Sequence, residues 1–367
     1  MRKCIVIPDS FKGTMTSSEV CEIMADAISH RYPDCEIIAI PIADGGEGTV
    51  DCFLRARVGE KVNVTVRDAY GGEIEGFYGR FGDEAVIEMS AVAGMVSNRR
   101  RDTLEASTYG VGQLIGRAIN SGAKTILIGL GGSCTSDAGC GMLCALGVRF
   151  FDADGKPFLP VGGTLDQVAK VNLTELHKKL EGIRICCICD TNKVMYGPDG
   201  AAYVYAPQKG ATEEQVKILD NNLRAFAARI QEELGIDVSN IPGGGAAGAM
   251  GAGAVAFMNA ELKPGIDYIM EMVHFDEQLR DADCVFTGEG NFDMQSFSGK
   301  AVYGVATHAS KQGVPVVVVT GKNRTGLPSV PELGITAIYE TAKSDDFEEI
   351  KKTCQSDLAE TMGKVLL

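Results

Sequence analysis

The chain has 367 residues, 45% of them hydrophobic and 23% charged, enough for two ordinary domains with sizeable cores. A formal net charge of −14 excludes nucleic acid and anionic membranes as main partners, and the absence of tryptophan removes the usual stacking platform for single strands. No apolar run approaches the roughly 20 residues of a membrane helix, and the opening MRKCIVIPDS has no signal-peptide h-region, so a cytoplasmic protein is expected.

In chain order, CIVIP (4–8) is a short apolar run fit for a buried parallel strand. It leads into Asp9-Ser10-Phe11-Lys12, a loop carrying an acid, a hydroxyl and a lysine. TSSE (16–19) spells a capping box, and Val20, Met24, Ala27 and Ile28 share one face of the helix it opens. EIIAIPI (36–42) reads as the second strand and delivers ADGGEGT, with Asp44 at its end.

The middle changes character. VNVTV (62–66), EIEGFYGRF (73–81) and AVIEMS (85–90) read as antiparallel strands joined by glycine turns. A helix near 107–121, a strand TILIGL (125–130) and a helix beginning near Ser136 follow. IRICCICD (183–190) is another buried strand; its terminal Asp190 suits a base, a metal ligand or a loop-capping residue. Gln208-Lys209-Gly210 puts a polar pair on a loop, and Thr212-Glu213-Glu214 opens a polar helix over about 212–234.

CVFTG (284–288), VPVVVVTG (314–321) and ITAIYE (335–340) then alternate with helical segments, as in a parallel sheet. The expected architecture is α/β with two domains. A discontinuous parallel-sheet domain spans 1–60 and 275–367, a mixed α/β domain over 61–274 is inserted in it, and the active-site cleft lies between them. Several of the twelve cysteines fall in apolar runs, notably IRICCICD, and they read as small buried hydrophobes of a reducing compartment.

Four glycine-rich loops carry the functional signal: ADGGEGT (43–49), GLGGSCTSDAGCG (129–141), PGGGAAGAMGAGA (242–254) and TGEGNFDMQSFSGK (287–300). Arcs of backbone N–H in such loops suit phosphate oxygens. Asp44, Glu47, Asp137, Glu289 and Asp293 beside them suggest a cation. No Walker A motif exists, and the lone G-x-G-x-x-G at Gly243, Gly245 and Gly248 is weak support for a nicotinamide oxidoreductase.

The strings IPDSFKGTMTSSE, IADGGEGT, IGLGGSCTSDAGCGM, GAAYVYAPQKGAT, PGGGAAGAMGAG and FTGEG, with Asp293-x-Gln295-Ser296 and Gly299-Lys300, resemble the type I glycerate kinases in order and over nearly the whole chain. The resemblance implies a flavodoxin-like domain with an insertion, and transfer of the γ-phosphoryl of ATP to D-glycerate, giving 2-phosphoglycerate. The alternatives are a 3-phosphoglycerate product, a related hydroxy acid, or a non-catalytic sensor of a phosphorylated metabolite. The partners are then a small hydroxy acid and ATP, with self-association left open.

On this reading Gly131, Gly132, Ser133, Thr135, Gly244, Gly245, Gly288, Glu289 and Gly290 face the nucleotide. Asp190 orients or deprotonates the substrate hydroxyl, while Lys12 and Lys300 meet the carboxylate and γ-phosphate charges. Asp9, Ser10, Lys193, Gln295 and Ser296 bind substrate, and Asp44 and Asp293 hold Mg2+. Two positions depart from the family. Lys193-Val194 stands where Asn-Pro is usual, and Asn291 where an arginine follows GEG; Lys193 is expected to supply the missing positive charge.

Overall fold

The apolar runs become two sheets with separate cores in a computed structural model that describes residues 1–42, 45–98, 100–189, 191–297 and 301–366. The side chains of Ala56, Asp267, Met272 and Gln295 also lie outside the description. The chain divides into two units. One comprises Met1–Asp44, Arg55–Arg57 and Pro264–Leu367; the other comprises Gly45–Leu54 and Val58–Lys263.

In the first unit five parallel strands lie in the spatial order Ile335–Glu340, Val316–Thr320, Cys284–Thr287, Lys3–Val6, Glu36–Ala39. Read from Glu36–Ala39, this is the flavodoxin-like order, whose reversal point falls between Lys3–Val6 and Cys284–Thr287. Cys4, Ile5, Val6, Val285, Val316 and Val318 are fully buried, so these strands show continuous apolar runs and no alternation. Helix Ser17–Arg31 lays Val20, Cys21, Met24 and Ile28 into a core shared with Leu358 and Met362 of helix Phe347–Val365. Each such aliphatic burial is worth about 1.5–3 kcal/mol. The expected capping box is present: Glu19 N–H donates to Thr16 Oγ1 at 3.2 Å, and Thr16 N–H to Glu19 Oε2 at 2.8 Å.

The second unit holds a mixed sheet in the order Glu261–Lys263, Arg184–Ile188, Thr125–Gly129, Glu84–Glu88, Glu73–Phe81, Glu60–Arg67. The first four strands run parallel and the last two pair antiparallel. Glu84–Glu88 therefore joins both regimes, being antiparallel to one neighbour and parallel to Thr125–Gly129, whereas the sequence suggested only the antiparallel one. Its core is built around Leu114, Ile126, Ile128, Phe150, Phe226 and Met250. A second capping box, Thr212 with Gln215, opens the long helix Glu213–Leu234, and left-handed Gly235 closes it.

The helix expected near Ser136 begins later, at Cys140, because Ala138 and Gly139 take left-handed conformations with φ of 50° and 78°. A small antiparallel sheet of Pro157–Phe158, Arg149–Phe151 and Lys170–Asn172 went unforeseen, as did the parallel pair Asn291–Phe292 with Lys322–Asn323. All twelve cysteines are free thiols, including Cys186 in the strand Arg184–Ile188 and Cys189 just past its end, at CxxC spacing. Among the described residues no helix is long and apolar enough to cross a membrane.

Candidate active site

In the first unit the loops at the reversal point come together. Asp9 N–H donates to Gly288 O at 2.8 Å, and Ser10 N–H to the Asp9 carboxylate at 2.6 Å. A Cβ on Gly288 would lie only 1.8 Å from Val319 O, so that glycine is required by close backbone approach, while one on Gly290 would sit in tight contact, 3.1 Å from Lys12 N. Thr320 Oγ1 and Gly321 N–H both donate to Glu289 O, fixing the GEG turn. The sequence-predicted Asp9, Ser10, Lys12, Gly288, Glu289 and Gly290 thus share one loop cluster. Asn291 pairs in register with Lys322, whose ammonium is held by Glu340 at 3.2 Å and Asp345 at 3.0 Å. Asp293 and Ser296 form a local turn: the fully buried Ser296 hydroxyl accepts from Asp293 N–H at 3.0 Å.

In the second unit the site loops gather at the C-terminal ends of the parallel strands. The segment after Gly45 crosses there, with Gly131 N–H donating to Gly45 O at 3.0 Å. A Cβ on Gly129 would lie 2.2 Å from Gly45 O, and one on Gly131 2.6 Å from Gly46 Cα. Those two glycines therefore serve loop-on-loop packing. The same holds for Gly245, whose N–H donates to Lys193 O at 2.9 Å and whose Cβ would lie 2.2 Å from Val194 O. Gly244 N–H is spent on Ile241 O at 2.9 Å.

The loop 132–137 is different. Gly132 and Cys134 are pinned to Met95 and Ala93 by backbone bonds of 2.9 Å. Among the described residues, the N–H groups of the buried Ser133, Thr135, Ser136 and Asp137, and of the exposed Gly132, meet no protein acceptor. Thr135 is fully buried and its hydroxyl has no partner. Buried donors without acceptors are rare in proteins and mark places where something else accepts. Asp137 O accepts from Cys140 N–H, and Ala138 N–H reaches Gly248 O at 3.1 Å. The second segment is itself strained, with Ala247, Gly248 and Ala249 at φ of 54°, 64° and 70°. Such clustering of left-handed alanines is typical of functional loops.

Sequence reasoning gave no site role to two buried charges here, placing Lys209 only in a polar pair on a loop and passing over Glu88. Lys209 is 3% exposed and donates from Nζ to Ser133 Oγ at 2.9 Å and Thr135 O at 2.7 Å. Burial pulls its ammonium down to about 8. The signal available was a lysine two residues after the apolar AAYVYAP segment. The other is Glu88, which ends its strand as Asp190 follows IRICCIC and called for the same reading. Its carboxylate accepts from Gly48 N–H at 3.2 Å and Val50 N–H at 2.5 Å. The protein thus fills part of the ADGGEGT arc with its own anion.

Burial pushes the Glu88 carboxyl up to about 7, outweighing the two donors that pull it down. An acid raised in the folded state contributes stability that is complete below its unfolded pKa and is lost as pH rises through about 7. Glu88→Gln is therefore expected to remove a pH-dependent component of up to about 3 kcal/mol between about pH 4.5 and 7. Urea unfolding across that range checks it; identical pH slopes for variant and parent would discard the assignment.

Of the other predicted residues, Lys193 lies in the second unit with its ammonium 3.1 Å from Asp199 Oδ1. Asp199 is largely exposed, and such a pair is worth about 0–1 kcal/mol, so Lys193 can be diverted to a ligand at little cost. Asp137 is no metal ligand: its carboxylate is taken by Thr108 N and Oγ1, both at 2.8 Å, and by Gly139 N and Gly141 N, both at 3.1 Å. Glu47 is exposed. Asp44, Asp190, Lys300 and the Gln295 side chain lie outside the described residues. Among the described residues no group of three His, Cys, Asp or Glu side chains could hold a metal ion on its own.

Residues 4–367 match the sequence profile of the glycerate kinase family. The chain is 40% identical over 343 residues to a glycerate kinase of Halalkalibacterium halodurans, covering 92% of this chain and 90% of the relative. It is 38% identical over 346 residues to the glycerate 2-kinase of Escherichia coli K12, covering 93% and 91%. A crystal structure assigned as glycerate kinase 2 from Salmonella typhimurium LT2 superposes with a TM-score of 0.85 at 36% identity, covering 100% of this chain and 97% of that one. The protein is an enzyme, a kinase, which removes the reading as a non-catalytic sensor. The chain belongs to the glycerate kinase family.

Proposed function

We propose that the enzyme transfers the γ-phosphoryl group of ATP to the 2-hydroxyl of D-glycerate, giving ADP and 2-phosphoglycerate. Within this family the observation that carries the reading is the surplus of buried N–H donors at Ser133, Thr135, Ser136 and Asp137. Donors fixed before the ligand arrives suit phosphate oxygens, and phosphoryl transfer depends on positioning and charge stabilisation. Ser133 and Thr135 receive the nucleotide phosphates. The Asp9–Lys12 loop and Gly288–Gly290 serve the reacting groups, with Lys12, Lys300 and Lys193 meeting anionic charge and Asp190 accepting the hydroxyl proton.

Mg2+ accompanies the nucleotide. Carboxylate oxygens such as those of Asp293 and Asp44 are the hard ligands it takes, directly or through water, and the ion would neutralise phosphate charge. Twelve free thiols agree with a reducing cytoplasm. The test is ADP release from ATP and Mg2+ with D-glycerate, L-glycerate and other short hydroxy acids, with NMR of the product. A 3-phosphoglycerate product would overturn the regiochemistry, and ADP release only with another acid would overturn the substrate.

A further inference from the structure

Lys209 is a buried ammonium for which the described residues provide no ion-pair partner. Among the described residues no carboxylate lies within ion-pair distance of it, and Asp137, an acid whose charge reaches it, is already saturated by four donors. Burying an unpaired charge is costly, so its persistence asks for a complement. An ammonium has three N–H donors and no acceptor. Two of them go to Ser133 Oγ and Thr135 O.

Ser133 Oγ must therefore accept, which leaves the hydroxyl hydrogen to be donated elsewhere, and no described residue takes it. Along the same loop lie the unclaimed N–H groups of the buried Ser133, Thr135, Ser136 and Asp137 and the unpartnered Thr135 hydroxyl. Every one of these N–H and ammonium groups is a donor. A buried cluster with surplus donors and an uncompensated cation has one complement, an anion rich in acceptor oxygens.

We propose that Lys209 is the positioning cation of this loop: it holds the Ser133 hydroxyl with its hydrogen presented to a phosphate oxygen of the nucleotide, and supplies the charge that phosphate neutralises. The inference deepens the proposed function and rests on it. Lys209 acts through Ser133 and Thr135, so loss of its charge is felt in nucleotide affinity before glycerate affinity. Its charge is present at neutral pH, and deprotonation on moving through about pH 8 removes it. The groups facing it are the Cys134 thiol, pushed up to about 11 by burial, and Asp137; Arg101 lies near Cys134.

The experiment is calorimetric titration of the full chain with ATP, ADP and D-glycerate for the parent, Lys209→Met, Ser133→Ala and the double variant. Each single variant is expected to weaken ATP and ADP by about tenfold or more, the loss of one charge-assisted hydrogen bond. The double variant is expected to be little worse than the poorer single one, and glycerate affinity to be nearly unchanged. In the parent, ATP affinity falls between about pH 7.5 and 9.5; in folded Lys209→Met that slope is gone. Should Lys209→Met fail to fold, Ser133→Ala and the pH profile of the parent still decide. Wild-type ATP affinity in a folded Lys209→Met or in Ser133→Ala, additive losses, a flat parent profile, or losses confined to glycerate would each overturn the proposal. Failure of the parent to phosphorylate any hydroxy acid would instead strike the proposed function, because nucleotide binding is read separately.

Discussion

Asp137→Ala is expected to lower the unfolding free energy by about 3–5 kcal/mol, the scale of a broken buried polar network. The carboxylate is fully buried and serves as acceptor for four donors: two from Thr108 and one each from Gly139 and Gly141. Thr108 Oγ1 in turn accepts from Met142 N–H at 2.9 Å, so removing the acid unties both the start of helix Cys140–Ala145 and the preceding strained turn. Burial pushes the Asp137 carboxyl up, against those four donors, so the charge itself is held at a cost. For that reason Asp137→Asn is expected to cost less, about 1–3 kcal/mol: it relieves the charge but turns an amide N–H2 toward a backbone donor. Thr108→Val breaks the same network from the other side, and its effect should not add to that of Asp137→Ala. Urea unfolding of the three variants and the double variant reads all of this. An Asp137→Ala midpoint near the parent's would mean that the network is replaced by water and holds nothing together.

The parallel sheet of the first unit was legible because CIVIP, CVFTG and VPVVVVTG are continuous apolar runs, as strands covered on both faces must be, while its flavodoxin-like character came only with the family resemblance. Both helix starts were legible from local chemistry, a capping box at Thr16 and a hydroxyl followed by two acids at Thr212, where the structure also closes a box with Gln215. The glycine loops were recognisable, but their division of labour was not. Gly129, Gly131 and Gly245 are glycines because another backbone passes within bonding distance of where a Cβ would be, a fact of tertiary geometry. Gly132, at φ +73°, would strain under any side chain, so its replacement cannot separate a ligand role from a conformational one. The strands at Arg149–Phe151 and Pro157–Phe158 are too short to show a period. Lys209 and Glu88 were given no site role because what distinguishes them is burial among partners distant in sequence, Ser133 and Thr135 for one, Gly48 and Val50 for the other.

Asp190→Asn is expected to lower kcat by about 100-fold or more, the scale of losing a general base. The residue follows the strand Arg184–Ile188, whose Ile185, Cys186, Cys187 and Ile188 are buried, and parallel strands of α/β enzymes present their chemistry just past such ends. Its sequence neighbours are anchored: Cys189 N–H donates to Lys263 O at 3.1 Å, and the Thr191 hydroxyl lies 2.5 Å from the Tyr205 hydroxyl. A glycerate hydroxyl is a poor nucleophile until its proton has a destination, and among the sequence-selected residues Asp190 is the one assigned to take it. Asparagine keeps the shape and the hydrogen-bonding oxygen but cannot accept a proton, so binding should persist while turnover falls. The informative result is therefore a split: ATP and glycerate affinities within a few-fold of the parent, kcat down about 100-fold, and the acidic limb of the pH–rate profile gone. Loss of affinity for glycerate with kcat preserved would recast Asp190 as a substrate clamp. A folded variant with nearly normal turnover would remove it from the chemistry, and leave the transfer to rest on charge stabilisation and alignment alone.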